Sequence, residues 1–374
     1  MMKKRYLTLY SSLAICIFLI NMGGCKGTDI SDEIIIGVAW PFASDQSLFE
    51  EGIDMATQEI NQEGGIGGKK LTLLKLDDDS EVTTGMAVAK RLTESDSVIA
   101  VIGHKSSYIS IPTSAIYEEG GLVMLSPSST APELTRKDGK STFRLIPSDE
   151  VVAKKVAGYL ADQGLKKIVL FYTGDSYGKG LADAFEDQSI QEGITVVDRF
   201  SNYSGTKELK RMETKWRAFG YDGFFIAASI TEGSKFIYDI GQASIDGVFT
   251  GGNALDNSRL MEEAGVGKEH IVIGSIFDPE ASKEAEDYNQ NFTDRYGQSP
   301  DIYAALGYDS VKILADALNN SKNYNRNEIS IELKNLGKWT GVCGDHEFSK
   351  TGDDIGELVV LKELRECIFS NLER

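Results

Sequence analysis

The chain has 374 residues, of which 41% are hydrophobic, and a formal net charge of −18. This length and composition are ordinary for a globular protein and leave room for two substantial lobes. The acidity argues against nucleic acid and anionic membrane surfaces as partners, because both repel an excess of carboxylates.

The N-terminus has the pattern of an export signal. Basic residues at 3–5 precede an apolar run over 13–20, and small residues then lead to Cys25. The apolar run is too short to span a bilayer comfortably, which favours a cleaved signal over an anchor. The ending "MGGC" resembles a bacterial lipobox, in which the cysteine is acylated and becomes the mature first residue.

Residues 1–24 are therefore predicted to be a lipoprotein signal peptide, and 25–33 a short polar tether. Without 1–24 the chain keeps 36 basic and 57 acidic residues, a net charge of −21. An exported protein is expected, lipid-anchored through Cys25 in the periplasm or on the outer face of the cytoplasmic membrane. The alternative is an ordinary signal cut near Gly24, with Cys25 incidental.

The cysteines and histidines do not indicate a metal site. Cys16 lies in the predicted signal and Cys25 is assigned to the lipid anchor, which leaves Cys343 and Cys367 without metal-ligand spacing. In an oxidising compartment these two could form a disulfide, or they could remain half-buried thiols. No cofactor is predicted.

From residue 33 onward, short apolar runs alternate with helical patterns. The first helix is predicted to begin at a capping box, Ser47-x-x-Glu50, and to stop at Gly64-Gly65. Strands of this half are predicted at 34–40, 71–76, 98–103, 122–127 and 143–147, with helices between the first four.

The same alternation then restarts with a helix near residue 152. The predicted strands of this second half are 167–172, 195–200, 223–229, 247–252 and 270–277. Helices follow at about 281–297, 301–319 and 327–336, and the tail is predicted to form a β-hairpin.

Alternation of this kind indicates parallel sheets covered by helices on both faces. About ten strand–helix units are too many for one sheet of ordinary width. The sequence therefore predicts two doubly wound α/β lobes. Ligands of such sheets bind outside the carboxyl ends of the strands, where loops lead into helix N-termini.

Several strand-end loops carry hydroxyl groups suited to an anion. "GHKSSYIS" offers Ser106 and Ser107, and "SPSST" offers Ser128 and Thr130. Hydroxyls beside free N–H groups at a helix N-terminus make a carboxylate or phosphate site. The alternative is that they only cap helices. Aromatic side chains in equivalent loops, Trp40, Tyr108 and Tyr177 among them, are typical of the walls of a small-molecule cleft.

One loop, "TGDSYG", also fits the G-x-S-x-G nucleophile elbow of serine hydrolases, with Ser176 as nucleophile. The catalytic histidine of that fold lies downstream, where only His270 and His346 occur, and His104 lies on the wrong side. No HGGG-type oxyanion motif is present. The sequence therefore predicts a binding protein rather than an enzyme.

These loops and their surroundings resemble the periplasmic binding proteins of the branched-chain amino-acid (Leu/Ile/Val) type. The matching stretches follow one another over almost all of the chain after residue 33: "EINQEGGIGGKKL", "VIGHKSSYISIPTSAIYEEGGLVMLSPSSTAPELT", "FRLIPSDE", "DSYGKGLADAF", "FDPE", "YAALGYDSVKILADAL" and "EFSKTGDDIGELVVLKEL". The resemblance implies a type I fold, in which two lobes joined by a multi-strand hinge close on a ligand that an ABC transporter then imports.

By this resemblance the ligand carboxylate is anchored by Ser107 and Thr130. The carbonyl of Ser128 and the hydroxyl of Thr130 would face an ammonium group. Tyr177 would reach the ligand from the second lobe, and Asp149 would lie at a crossover between the lobes.

Two positions depart from the family pattern. The acidic partner of the ammonium group falls on Asn253, and an expected aromatic residue falls on Ser229. Because a buried charge without its partner is costly, the ligand need not be Leu, Ile or Val. A carboxylate without an amine, an aromatic acid or an amide is also allowed, and Asp149, Glu232, Asp256 or Asp278 could replace the missing acid.

The predicted function is that of a solute-binding protein for a small carboxylate or amino-acid-like ligand, with an ABC permease as partner. A sensor of the same fold is the alternative. The first lobe is predicted to comprise 34–147 and 278–338, and the second 148–277 and 339–374.

Overall fold

The computed structural model describes residues 33–135, 141–257, 259–265, 270–356, 359–365 and 368–372. The predicted signal peptide, Cys25 and Cys367 lie outside these residues. Cys343 is buried, and both alternatives, a disulfide with Cys367 and a free thiol, stand as they were. No helix among the described residues is long and apolar enough to cross a membrane.

The first lobe is built on a five-stranded parallel sheet with the strand order β2-β1-β3-β4-β5. Its strands are β1 (Glu33–Trp40), β2 (Lys70–Asp77), β3 (Val98–Gly103), β4 (Val123–Ser126) and β5 (Thr142–Arg144). The helices between the first four strands are α1 (Phe49–Gln62), α2 (Val82–Thr93) and α3 (Ser107–Glu119).

The second lobe is built on a seven-stranded sheet. Its alternating elements are α4 (Asp149–Asp162), β6 (Lys167–Tyr172), α5 (Ser176–Gln191), β7 (Thr195–Phe200), α6 (Thr206–Phe219), β8 (Gly223–Ala227), α7 (Ile230–Gln242), β9 (Val248–Gly251), α8 (Arg259–Ala264) and β10 (Ile271–Ser275). The chain continues with α9 (Lys283–Tyr296), α10 (Ile302–Asn320), α11 (Arg326–Asn335), β11 (Trp339–Gly341), β12 (Gly344–His346), β13 (Val360–Arg365) and β14 (Ile368–Asn371). The sheet order is β14-β13-β10-β9-β8-β6-β7, with β13 and β14 antiparallel to their neighbours.

Each sheet is buried on both faces, which explains why its strands are continuous apolar runs rather than alternating ones. In the first lobe, one face packs Ile36 and Val38 in a core with residues of α1 and α10, and the other packs Val101 against α2 and α3. The prediction of two doubly wound α/β lobes is confirmed.

The tail differs from its predicted form. It makes two hairpins, not one, and only β13 and β14 join the second sheet. Residues before them pack on the first lobe: the Phe348 ring lies 5.1 Å from that of Phe143, and Arg144 Nε donates to Asp353 at 2.5 Å. This part of the tail therefore contacts the first lobe, although 339–374 were predicted to lie in the second. The lobe boundaries stay predictions.

The predicted capping box at Ser47 is also wrong. The helix begins one residue later than predicted, so that its N-cap is Leu48, without a side-chain cap, and the Ser47 hydroxyl donates to Asp45 Oδ2 at 2.5 Å.

The contact between α1 and α10 depends on a glycine. A methyl group added at Gly52 would lie 2.1 Å from the carbonyl oxygen of Ala304. Backbone atoms cannot yield as a flexible side chain does, so Gly52→Ala is expected to lower the free energy of unfolding by about 2 kcal/mol. Gly158→Ala, in the interior of α4 with open space around it, is the matched control and should raise it by about 0.5–1 kcal/mol. Urea unfolding measures both, and an equal effect of the two variants would contradict the packing described.

Candidate functional site

A cleft of about 410 Å³ lies where the carboxyl ends of the two sheets' strands meet. Its walls are the loops after β1, β2, β3 and β4 from the first lobe and after β6, β8 and β9 from the second. Five predicted ligand-contact residues line it: Ser106, Ser107, Ser128, Tyr177 and Asn253. The three others, Trp40, Thr130 and Asp149, are buried and are not part of its lining.

The first-lobe wall contains the N-terminus of α3. Ser107 is the first helical residue, and the N-cap residue Ser106 makes no side-chain cap. The Ser128 hydroxyl donates to the Lys105 carbonyl at 2.6 Å, and the Ala131 N–H donates to the Ser107 hydroxyl at 3.3 Å. These bonds fix the two serine-containing loops side by side and leave the positive end of the α3 dipole facing the cleft.

Three other hydroxyl groups at these loops are structural. The hydroxyls of Ser110, Ser126 and Ser129 lie 3.2, 3.2 and 3.3 Å from the buried carbonyl oxygen of His104, and those of Ser110 and Ser129 lie 2.7 Å apart, so that one of them donates to the other. His104 is itself held, since Nδ1 lies 2.6 Å from Asp78 Oδ2 and Nε2 lies 3.1 Å from the Tyr117 hydroxyl. This network holds in place the two loops that are predicted to bind an anion.

The second-lobe wall presents hydrogen-bonding atoms that have no partner in the described protein. Asp175 caps α5 by accepting from the Gly178 N–H at 2.9 Å, and the next turn places Tyr177 at the cleft. The Tyr177 hydroxyl and Asn253 Oδ1 are buried and unpaired; the Ala254 backbone approaches the hydroxyl without hydrogen-bond geometry. Burial, together with the charge of Asp149, raises the pKa of Tyr177 well above its usual value, so the hydroxyl stays protonated.

Two further unpaired groups come from the junction of the lobes. The Thr130 hydroxyl and both carboxyl oxygens of Asp149 are buried and make no hydrogen bond of ordinary geometry, although the two groups lie next to each other. Burial raises the pKa of Asp149 to about 7, although the nearby Thr130 hydroxyl and Arg144 oppose the shift. Buried polar atoms are nearly always paired in native proteins, so four unpaired groups near one cleft indicate a place for a polar ligand.

Trp40 has a different role from the predicted one. It is 1% exposed, stacks on Phe49 with 3.7 Å between ring centroids, and donates from Nε1 to Asp45 Oδ2 at 2.5 Å. Trp40 therefore positions Asp45, which lines the cleft.

The lining residues that were not predicted include Asp45, Lys105 and Tyr303. Lys105 adjoins the predicted serines and has a local signal, a single cation in a Ser-rich strand-end loop. Tyr303 comes from α10, more than 190 positions away from Lys105, and no local pattern links it to the cleft.

The hydrolase hypothesis has no support in the geometry. Ser176 is the first residue of α5 and Asp175, not Ser176, is its cap. Each histidine is engaged elsewhere: His104 with Asp78, His346 with Asp354, and His270 at 3.6 Å from Glu363. A general base for Ser176 is not found among them.

The cleft lies between the strand-end loops of two doubly wound lobes, and a helix N-terminus without a side-chain cap faces it together with unpaired polar groups. These features define a two-lobed small-molecule-binding protein. The family model described as periplasmic binding protein matches residues 33–357, and the chain belongs to this family.

Relatives of known structure and name agree with that membership. An ABC transporter substrate-binding protein from Desulfitobacterium hafniense, solved in complex with Leu, is 46% identical, with a TM-score of 0.85 over 91% of this chain and 100% of that one. A Leu/Ile/Val-binding protein homolog 2 from Brucella abortus is 28% identical over 96% of both chains. An amino acid binding protein from Pseudomonas aeruginosa is 29% identical over 86% of this chain and 87% of its own length. The resemblance drawn from the sequence is confirmed, and the chain is a ligand-binding protein.

Proposed function

We propose that the protein is the extracytoplasmic solute-binding component of an ABC importer and that its ligand is a free α-amino acid bound as a zwitterion. The observation that carries this proposal is the pairing of an uncapped helix N-terminus on one wall with unpaired, buried polar groups near the other. The first suits a carboxylate, and the second suits an ammonium group.

At the carboxylate end, the first turn of α3 offers N–H groups and the Ser106 and Ser107 hydroxyls. An anion there gains from the helix dipole and from hydrogen bonds that are stronger because the acceptor is charged. Ser107 comes from α3 and Ser128 from the next loop, so the anion would be held by two elements of one rigid lobe.

At the ammonium end, Tyr177 and Asn253 offer oxygen acceptors, and Asp149 supplies a carboxylate close enough to raise the pKa of Tyr177. Both cations that line the cleft are already paired with carboxylates. Asp175 and Glu232 therefore make the second-lobe wall negative. A negative wall favours a zwitterion over a plain carboxylate, which would leave these acceptors unpaired.

The two ends of the ligand would thus contact different lobes. A ligand that bridges both lobes binds the closed form more tightly than the open one, and this difference in affinity shifts the population toward closure. Binding and release, without bond chemistry, suffice for delivery to a permease.

The assignment to an ABC importer rests on the Desulfitobacterium hafniense relative, which is described as an ABC transporter protein. Anchoring would be through acylated Cys25, with the protein in the periplasm or on the outer face of the cytoplasmic membrane. The mass of the mature N-terminus tests the anchor, and an unacylated Cys25 would refute it.

Calorimetry with paired ligands tests the zwitterion directly. Protein freed of co-purified ligand by dialysis in denaturant and refolded is titrated with each of the twenty amino acids. The tightest ligand is then compared with its analogue in which hydrogen replaces the α-amino group. We expect the analogue to bind at least about 100-fold more weakly, because a charged hydrogen-bonding group is lost and buried acceptors stay unpaired. Equal affinity for the two would refute an α-amino acid as the ligand while leaving a carboxylate-binding protein.

A further inference from the structure

One end of the cleft is polar, where an aliphatic side chain of a ligand would need apolar walls. The loop after β1 lines it with Pro41 and with four polar residues, Ser44, Asp45, Gln46 and Ser47, and Lys105 lines it from the loop after β3. Sites that select aliphatic groups are lined mainly by apolar and aromatic side chains. This end of the cleft instead contains an ion pair.

Asp45 is fully satisfied and fixed. It accepts from Trp40 Nε1 at 2.5 Å, from the Ser47 hydroxyl at 2.5 Å and backbone N–H at 3.2 Å, and from Lys105 Nζ at 2.5 Å. Burial alone would raise the pKa of Asp45, but Lys105 and the other donors lower it overall. The carboxylate therefore stays ionised and holds Lys105 in place.

Lys105 retains hydrogen-bonding capacity toward the cleft. Its ammonium group has three N–H donors, and Asp45 Oδ1 takes one. The group lies 4.7 Å from the Tyr303 ring centroid and 5.8 Å from that of Trp40. The side chain is 27% exposed and lines the cleft, so a donor remains for a ligand atom.

The chemistry of this pair discriminates between ligand side chains. An aliphatic group placed against it would remove water from two charges and offer no hydrogen bond in return. An acidic or basic group would compete for one member of a pair that is already neutral as a whole. An uncharged group with an oxygen acceptor replaces the water and satisfies the free donor of Lys105.

We propose that the Asp45–Lys105 pair selects amino acids whose side chains are uncharged and carry a hydrogen-bond acceptor. This inference rests on the proposed function and narrows it. It also predicts that this chain prefers a different ligand from the relative solved with Leu and from those named as Leu/Ile/Val-binding homologues.

Ligands of matched shape test the inference. Asparagine against leucine and threonine against valine differ in polarity at nearly constant volume. Calorimetry on the wild-type protein is expected to give affinities at least about tenfold higher for the polar member, the effect of one hydrogen bond gained. In Lys105→Met the ratio should fall toward one or reverse, whereas Lys283→Met, an exposed lysine on α9 with 72% of its side chain accessible, should leave it unchanged.

The outcomes separate the two proposals. Tighter binding of leucine or valine by the wild-type protein, or a preference for acidic or basic amino acids, overturns the inference and leaves the proposed function intact. Binding of deaminated acids but of no amino acid overturns both. If folded Lys105→Met keeps the wild-type ratio of polar to apolar ligand affinity, Lys105 does not determine the preference. If that variant does not fold, the affinity ratios of the wild-type protein alone decide.

Discussion

Replacing Asp149 with asparagine is expected to weaken amino-acid binding about 100-fold at pH 8 and, at the same pH, to stabilise the ligand-free protein. Both effects come from one buried carboxylate whose oxygens make no hydrogen bond of ordinary geometry with the described residues. An ionised carboxylate without a partner is costly to bury. Asp149 does not line the cleft, so the ligand's ammonium group would stabilise it as a nearby opposite charge, an effect of about 1.4–4 kcal/mol.

The pH dependence of the ligand-free protein follows from the pKa of Asp149, which burial raises from 3.8 to about 7. The folded state holds this proton more tightly than the unfolded state. Its contribution to stability is therefore complete below about pH 4 and is lost as pH rises through 7, by about 4 kcal/mol in all. Asp149→Asn should lack this decline.

Ligand binding should show the opposite trend, because an ammonium group beside Asp149 favours its ionised form. Affinity is expected to fall by up to about tenfold per pH unit below pH 7 in the wild type and to be nearly constant in Asp149→Asn. Calorimetry and thermal unfolding between pH 5 and 8 measure both trends. Asp162→Asn, an exposed position at the other end of α4, is the control, and a wild-type affinity that does not change over this range would contradict the role given to Asp149.

Replacing His346 with glutamine is expected to destabilise the protein by about 3–5 kcal/mol, the cost of removing the partner of buried charges. His346 is fully buried, with Nδ1 2.5 Å from Asp354 Oδ2 and Nε2 at the longer ion-pair distance of 3.5 Å from Asp309 Oδ2. Asp309 also accepts from the N–H groups of Val342 and Cys343, at 2.9 and 2.8 Å. This cluster ties the first tail hairpin to α10.

The stability that His346 contributes decreases as pH rises, whereas the contribution of an acid with a lowered pKa increases. Burial would lower the pKa of His346, but Asp309 and Asp354 raise it from 6.5 to about 9. The stabilisation, about 3 kcal/mol for a shift of this size, is complete below pH 6.5 and is lost as pH rises through 9. Denaturant unfolding at pH 6 and pH 10 measures the loss, with His270→Gln as the control because that side chain is 72% exposed. A His346→Gln variant as stable as the wild type at pH 6 would contradict a stabilising charged pairing of His346 with Asp309 and Asp354.

The fold was predictable because most of its strands are buried on both faces, and such strands are continuous apolar runs. The exception is the tail. Its attachment to the first lobe depends on His346, Arg144 and Asp353, which pair with residues far away in the chain. A local pattern of strands and turns does not contain that information.

The site was predictable to the extent that strand-end loops meet at one edge. Ser106, Ser107 and Tyr177 follow strands directly, and they line the cleft. The same reasoning misplaced Trp40, because a large aromatic residue after a strand can equally well pack inward. Tyr303 was missed because it reaches the cleft from the first turn of α10, which is distant in the chain.

A crystal structure of the protein with its tightest-binding amino acid tests the central claim most directly. The account predicts the carboxylate about 3 Å from the N–H groups that begin α3, and the ammonium group about 3 Å from the oxygens of Tyr177 and Asn253. An ammonium group at α3, a carboxylate against the second lobe, or a ligand outside this cleft would contradict it.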